Sequence, residues 1–92
     1  MYSIDYTNEF KNQAKLMHKR GYNMDLLNEA IKTLIATGTL PTVKYKTHKL
    51  KGYYANLWEA HLQPDWLLIW NINKSTVTIV LTHTGKHSDL FR

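Results

Sequence analysis

Five consecutive apolar residues, Trp66-Leu67-Leu68-Ile69-Trp70, constrain the fold of this chain more than any other segment. A strand with one wet face alternates apolar and polar residues, so an unbroken run belongs to a central strand covered on both sides. Such a strand needs neighbours, and the flanking sequence supplies them. Tyr53 to Leu62 is aromatic-rich and stops at Pro64, while Thr76 to Thr82 places Val77, Ile79 and Leu81 on one face. Asn71 to Ser75 reads as the hairpin connection between the last two strands.

The first half of the chain follows helical spacing. After a short strand from Tyr2 to Tyr6, Thr7 or Asn8 can cap a helix reaching about Arg20, with Phe10, Ala14 and Met17 as its apolar stripe and Gly21 as its end. Asn23 can cap a second helix, Asp25 suits its positive end, and Gly38 closes it. Leu27, Ala30, Ile31 and Leu34 share one face of that helix. Both stripes read as surfaces packed on a core. The order is strand, two helices, then a three-stranded antiparallel meander. It predicts an α+β domain with helices on one face of the sheet and the other face open for a site.

At 92 residues, the expectation is one domain spanning positions 1–92. No apolar run reaches the roughly 18 residues of a membrane helix, and the opening Met-Tyr-Ser-Ile-Asp-Tyr has no signal-peptide character. With no cysteine, disulfides, thiolate metal sites and a cysteine nucleophile are excluded, and a cytoplasmic location is expected. The net charge of +5 points to an anionic partner, either nucleic acid or an acidic protein.

Polar chemistry is concentrated in the second half. Lys44, Lys46, His48, Lys49 and Lys51 precede the meander, His61 and Asp65 flank Pro64, and His83, Lys86, His87 and Arg92 follow the last strand. In a meander, neighbouring strand ends lie side by side, so His61, Asp65 and the 83–87 segment are expected to converge. Such a set matches the needs of RNA cleavage. A base takes the proton of the ribose 2′-hydroxyl, an acid protonates the leaving 5′-oxygen, and cations stabilise the phosphorane. Imidazole does either proton transfer near neutral pH. Because the nucleophile belongs to the substrate, neither a metal nor another cofactor is required. His83-Thr-Gly-Lys-His87 has metal-like spacing, but Gly85 interrupts the helix that would align the two rings. His18 reads as a solvated helix residue. Trp66 and Trp70 fit the core, although an exposed Trp66 would stack on a base.

Three motifs carry a resemblance. Lys46-Thr-His48-Lys-Leu50-Lys-Gly52, His61-Leu-Gln-Pro-Asp65-Trp66-Leu-Leu-Ile and Thr84-Gly85-Lys86-His87-Ser-Asp-Leu90-Phe91 occur in that order. Together they resemble the YafQ-type branch of the RelE/ParE toxin superfamily, whose members carry His-x-x-Pro-Asp-Trp and end in Arg-Thr-Gly-x-His-x-x-Leu-Phe. The resemblance spans the whole chain. It implies a RelE-like, microbial-RNase-type fold and the toxin of a type II toxin–antitoxin pair. Such toxins cleave messenger RNA in the decoding site of the 30S ribosomal subunit, and a cognate antitoxin restrains them. Contact with operator DNA is implied only indirectly, through that antitoxin.

On this resemblance His48, His61, Asp65 and His87 take the positions of the family's catalytic residues. His87 would be the general acid; Asp65, aided by His48 or His61, would be the base or orient it. Trp66 and Phe91 take positions associated with substrate placement. One departure stands out: His83 replaces the arginine that precedes Thr-Gly in the family, and imidazole lacks the bidentate guanidinium fork. The phosphate contact would then fall to His83 itself or to Lys86, Lys49 or Lys51. The departure also admits a catalytically weak or inactive protein that acts by binding its antitoxin as a co-repressor. The gyrase-directed branch of the superfamily lacks this histidine set, which counts against that branch here.

Overall fold

In the computed structural model, which describes residues 1–91, β1 (Ser3–Tyr6) leads directly into α1 (Asn8–Lys19). Arg92 lies outside the described residues. The Thr7 hydroxyl caps α1 by accepting from the Phe10 N–H at 3.0 Å. Asn23 caps α2 (Met24–Thr37) by accepting from the Asp25 N–H at 3.0 Å. The second helix stops at Gly38, whose φ of +79° is left-handed. Glycine is doubly required there, since a Cβ would fall 2.5 Å from the Tyr2 ring. Phe10 and Met17 of α1 join Leu27, Ala30 and Leu34 of α2 in the core.

The segment after α2 differs from expectation. A single helical turn, α3 (Thr42–Tyr45), precedes a two-residue edge strand, β2 (His48–Lys49). Tyr53 is not in a strand but in a 3₁₀ turn, Gly52–Tyr54. Gly52 (φ +65°) and Asn56 (φ +79°) are left-handed, which no extended strand accommodates, and Leu50 N–H closes the loop on the Leu57 carbonyl at 2.8 Å. Three longer strands follow: β3 (Trp58–Gln63), β4 (Trp66–Asn73) and β5 (Thr78–Gly85). A final turn, α4 (His87–Leu90), leads to Phe91.

The sheet has five strands in the order β1-β5-β4-β3-β2. The meander is antiparallel as expected, but β1 joins it in parallel with β5, pairing Ser3 with Thr78 and Tyr6 with Leu81, so the whole sheet is mixed. Beyond Leu81, side chains of α1 and its cap replace β1 along the β5 edge. Thr7 Oγ1 donates to the Thr82 carbonyl at 3.0 Å, and Gln13 Oε1 accepts from the Thr84 N–H at 2.9 Å. A bulge at Thr82 accompanies this change, because Ile69 pairs with His83 while Trp70 pairs with Leu81.

Strand β4 lies at the centre of the sheet, buried on both faces. Trp66, Leu68 and Trp70 belong to the core cluster with the helix residues, and their strand neighbours Leu67 and Ile69 are buried on the opposite face. That opposite face is therefore not open along its length. Tyr54, Leu57, Leu90 and Phe91 close over Ile69 and His83, leaving a cavity of only about 30 Å³. Two aliphatic side chains there demand cover, and the 52–57 loop and the C-terminal turn supply it. Polar residues occupy what is left of the face. Among the described residues no helix is long and apolar enough to cross a membrane.

Candidate active site

Strand register lays out the site. Cα partners place His48, Glu59, Ile69 and His83 in one row across the face, and His61, Leu67 and Gly85 in the next. Adjacent strands are about 4.8 Å apart, so side chains in neighbouring positions of these rows can touch.

Glu59 joins the first two histidines. Its Oε1 lies 3.3 Å from His48 Nε2 and 3.8 Å from His61 Nε2, and the residue is only 7% exposed. The other nitrogen of each ring meets a carbonyl: His48 Nδ1 lies 2.9 Å from that of Lys46, and His61 Nδ1 lies 3.2 Å from that of Pro64. Lys46 takes a left-handed conformation (φ +52°) as it presents its carbonyl. Carbonyl and carboxylate oxygens only accept, so each ring faces acceptors at both nitrogens. Glu59 escapes a reading of the sequence that looks for histidines. The signal was present in Trp58-Glu59-Ala60-His61, where alternation puts Glu59 and His61 on one face.

Asp65 and His87 meet at the end of the sheet. Gln63 pairs with Trp66, which leaves Pro64 and Asp65 at the tip of a tight hairpin. From that tip Asp65 Oδ1 accepts the backbone N–H of His87 at 3.3 Å. The His87 and Phe91 rings lie 5.1 Å apart across one turn. Asp89 anchors this turn by accepting from the Lys86 N–H at 3.0 Å and from Arg20 Nη1 at 2.7 Å. The Arg20 guanidinium beside it holds the Asp89 carboxyl below the usual carboxylate range. The sequence-selected residues thus form two linked groups, His48–Glu59–His61 and Asp65–His87, connected through the β3–β4 hairpin.

The remaining candidates differ in their surroundings. His83 is not free in the site: its Nε2 lies 2.6 Å from Glu9 Oε1, and its Nδ1 lies 3.0 Å from Thr82 Oγ1. Trp66 is fully buried, so no face of its ring can meet a nucleobase. Its Nε1 instead donates to Thr84 Oγ1 at 2.9 Å, which in turn donates to the Leu67 carbonyl at 2.8 Å. The reading of Trp66 as a core residue stands, and the substrate-stacking role offered for an exposed ring is corrected, because the core claims this side chain. Lys49 and Lys51 are exposed, and Lys86 is half-buried at the start of α4. Lys44, Lys46 and His61 line a groove of about 240 Å³ beside the site. A larger depression of about 570 Å³ lies along α2 and contains none of these histidines.

The family described as "Bacterial toxin of type II toxin-antitoxin system, YafQ" matches residues 2–92. The chain belongs to that family. It is 34% identical over 89 residues to the mRNA interferase toxin YafQ of Escherichia coli strain K12, an alignment covering 96% of this chain and 94% of that protein. The YafQ fold extends to solved structures. The chain superposes on a chain of the E. coli DinJ-YafQ toxin-antitoxin complex with a TM-score of 0.87, at 33% identity and covering 99% and 98% of the two chains. A metal-bound toxin from Helicobacter pylori matches with a TM-score of 0.86, at 36% identity over 99% of this chain and all of that one. The protein is therefore a YafQ-family type II toxin with the mixed α+β fold of those structures.

Proposed function

We propose that this toxin is an endoribonuclease that cleaves messenger RNA held in the ribosomal decoding site, with His48, His61, Asp65 and His87 as its catalytic residues. The observation that carries the reading is that these four residues form two groups linked by the β3–β4 hairpin, His48 and His61 on Glu59 and Asp65 on the backbone N–H of His87. Membership in a family whose E. coli relative is named an mRNA interferase supports it.

Asp65 takes the proton of the ribose 2′-hydroxyl, and the oxygen attacks the neighbouring phosphorus. His87 returns a proton to the departing 5′-oxygen, leaving a 2′,3′-cyclic phosphate. Each such transfer is worth roughly 10²–10⁴ in rate. His48 and His61, oriented by Glu59, donate to the negative equatorial oxygens. With His83 bonded to Glu9, the lysines carry the backbone contacts: Lys46 beside His61, Lys86 at α4, and Lys49 and Lys51 at the edge strand. The nucleophile is the substrate's own hydroxyl, so the chemistry needs no cofactor. Among the described residues no group of three or more His, Cys, Asp or Glu side chains is arranged to hold a metal ion, and no step is routed through one.

A cognate antitoxin restrains the toxin in the cytoplasm by covering its cationic surface; the complex of the E. coli relative with DinJ supports an antitoxin partner. Primer extension on messenger after induction tests the proposal. The parent is expected to produce new messenger ends that a His87→Ala variant does not. Equal messenger patterns for the two would leave an antitoxin-binding co-repressor, the reading that His83 in its pairing with Glu9 favours.

A further inference from the structure

Four aromatic rings run outward from the proposed acid. His87 and Phe91 lie 5.1 Å apart, Phe91 and Tyr54 5.3 Å, and Tyr54 and Tyr53 5.2 Å. The last two pairs meet edge to face, at 89° and 90°, an arrangement that attracts the rings without hiding both faces of either. Exposure rises along the row. Phe91 is half-buried, Tyr54 is 39% exposed and Tyr53 is 95% exposed.

The loop that presents the tyrosines is built rather than slack. Tyr54 N–H bonds to the Lys51 carbonyl, Ala55 N–H to that of Gly52, and Leu57 N–H to that of Tyr54, at 3.3, 3.0 and 3.1 Å. Left-handed Gly52 and Asn56 bracket the turn. Leu57 points in toward Ile69 while Tyr53 points out, so the loop spends its apolar leucine on the sheet and leaves its largest ring in water. A lone exposed tyrosine calls for no explanation. One that ends a continuous row starting at the proposed acid, with exposed Lys49 and Lys51 just before it, has the make-up of a single-stranded nucleic-acid track: stacking faces beside cations.

We propose that Tyr54 and Tyr53 form a base-stacking subsite that holds nucleotides of single-stranded RNA next to the scissile phosphate. The inference rests on the nuclease reading of the His87 site. Phe91 positions the nucleotide at the cleavage point, Tyr54 and Tyr53 take the bases that follow along the row, and Lys49 and Lys51 accompany their phosphates. Neither tyrosine touches the reacting atoms, so the subsite acts on substrate binding and leaves the chemical step alone.

Ribosomes programmed with a messenger whose decoding-site codon carries 2′-deoxy nucleotides bind without being cut and report affinity. Unmodified messenger reports kcat and KM. Tyr53→Ala and Tyr54→Ala are each expected to raise Kd and KM by roughly fivefold to a hundredfold, the worth of one stacked base, with kcat changed less than about twofold. Tyr53→Phe and Tyr54→Phe keep the ring and are expected to bind like the parent. Tyr53 contributes nothing to the core, so its alanine variant folds and gives the decisive reading. Unchanged Kd and KM in Tyr53→Ala overturn the subsite. Weaker antitoxin binding with RNA binding intact also overturns it and assigns the row to the antitoxin. A parent that binds the programmed ribosome but never cuts the unmodified messenger breaks the nuclease reading instead, and Kd still decides the subsite. A parent that does not bind overturns both.

Discussion

A carboxylate that is nearly out of water needs partners, and Glu59 has two imidazoles. Under the proposed mechanism its contacts with both Nε2 atoms orient the rings of His48 and His61, which makes it a positioning residue for both. Glu59→Gln keeps the shape and removes the charge. It is expected to lower messenger cleavage roughly tenfold to a hundredfold, the scale of losing a charge-assisted contact of ~1.5–3 kcal/mol. The loss should fall on kcat rather than KM, because the amide keeps the shape of the pocket. Steady-state cleavage by parent and variant, with thermal melting as the control for folding, checks this, and unchanged kcat would assign Glu59 to structure alone. Glu59 was hard to read in the sequence for a plain reason. A glutamate in an alternating strand reads as a wet position; alternation hints at its shared face with His61, and the pairing of His48 opposite Glu59 completes the picture.

At the scale of the element, α4 is short and depends on its anchors. A single turn has no stability of its own in water. What holds it are Asp65 on the His87 N–H, Asp89 on the Lys86 N–H, and the Arg20 fork on Asp89. The depressed pKa of Asp89 sets the sign of the pH effect. Its anchoring is complete above the ordinary carboxylate pKa of about 3.9 and is lost as pH falls through the lower folded value. Asp89→Asn removes that dependence. Hydrogen exchange at the 86–91 amides should therefore be slow in the parent near neutral pH and gain extra opening on acidification, while Asp89→Asn opens more near neutral pH, lacks that extra acid opening, and converges with the parent once Asp89 is protonated. Equal protection in the two would show that the Arg20 anchor is idle. Elements with local signals were legible beforehand: Thr7, Asn23 and Gly38 mark helix ends through bonds within a few residues. The Tyr54–Phe91 contact and the parallel seat of β1 were not, because partners 37 and 75 residues apart leave no trace in a window of sequence.

For the molecule as a whole, charge and architecture divide the labour. The helices and the inner face of the sheet form the core, and Lys44 and Lys46 line a groove with His61 on the outside. With a net charge of +5, binding to RNA should weaken as salt rises. If Lys49 and Lys51 touch phosphates, replacing each by Gln lowers the slope of log K against log salt by about 0.7 for single-stranded RNA. Binding titrations at several salt concentrations measure this, and an unchanged slope would place both lysines off the RNA path. The α+β plan and the end of the sheet that bears the histidines could be read from periodicity and motif. How much of the second face is covered could not, since that depends on where Leu57, Leu90 and Phe91 come to rest over Ile69.

The parallel seat of β1 on β5 has a consequence for synthesis. The first strand finds its neighbour only after residues 78–81 exist, and His87 arrives later still. A growing polypeptide on the translating machine thus holds two helices without the platform they rest on. If His87 acts as proposed, cleavage cannot begin before the 78–87 segment has been made and β1 has found its seat.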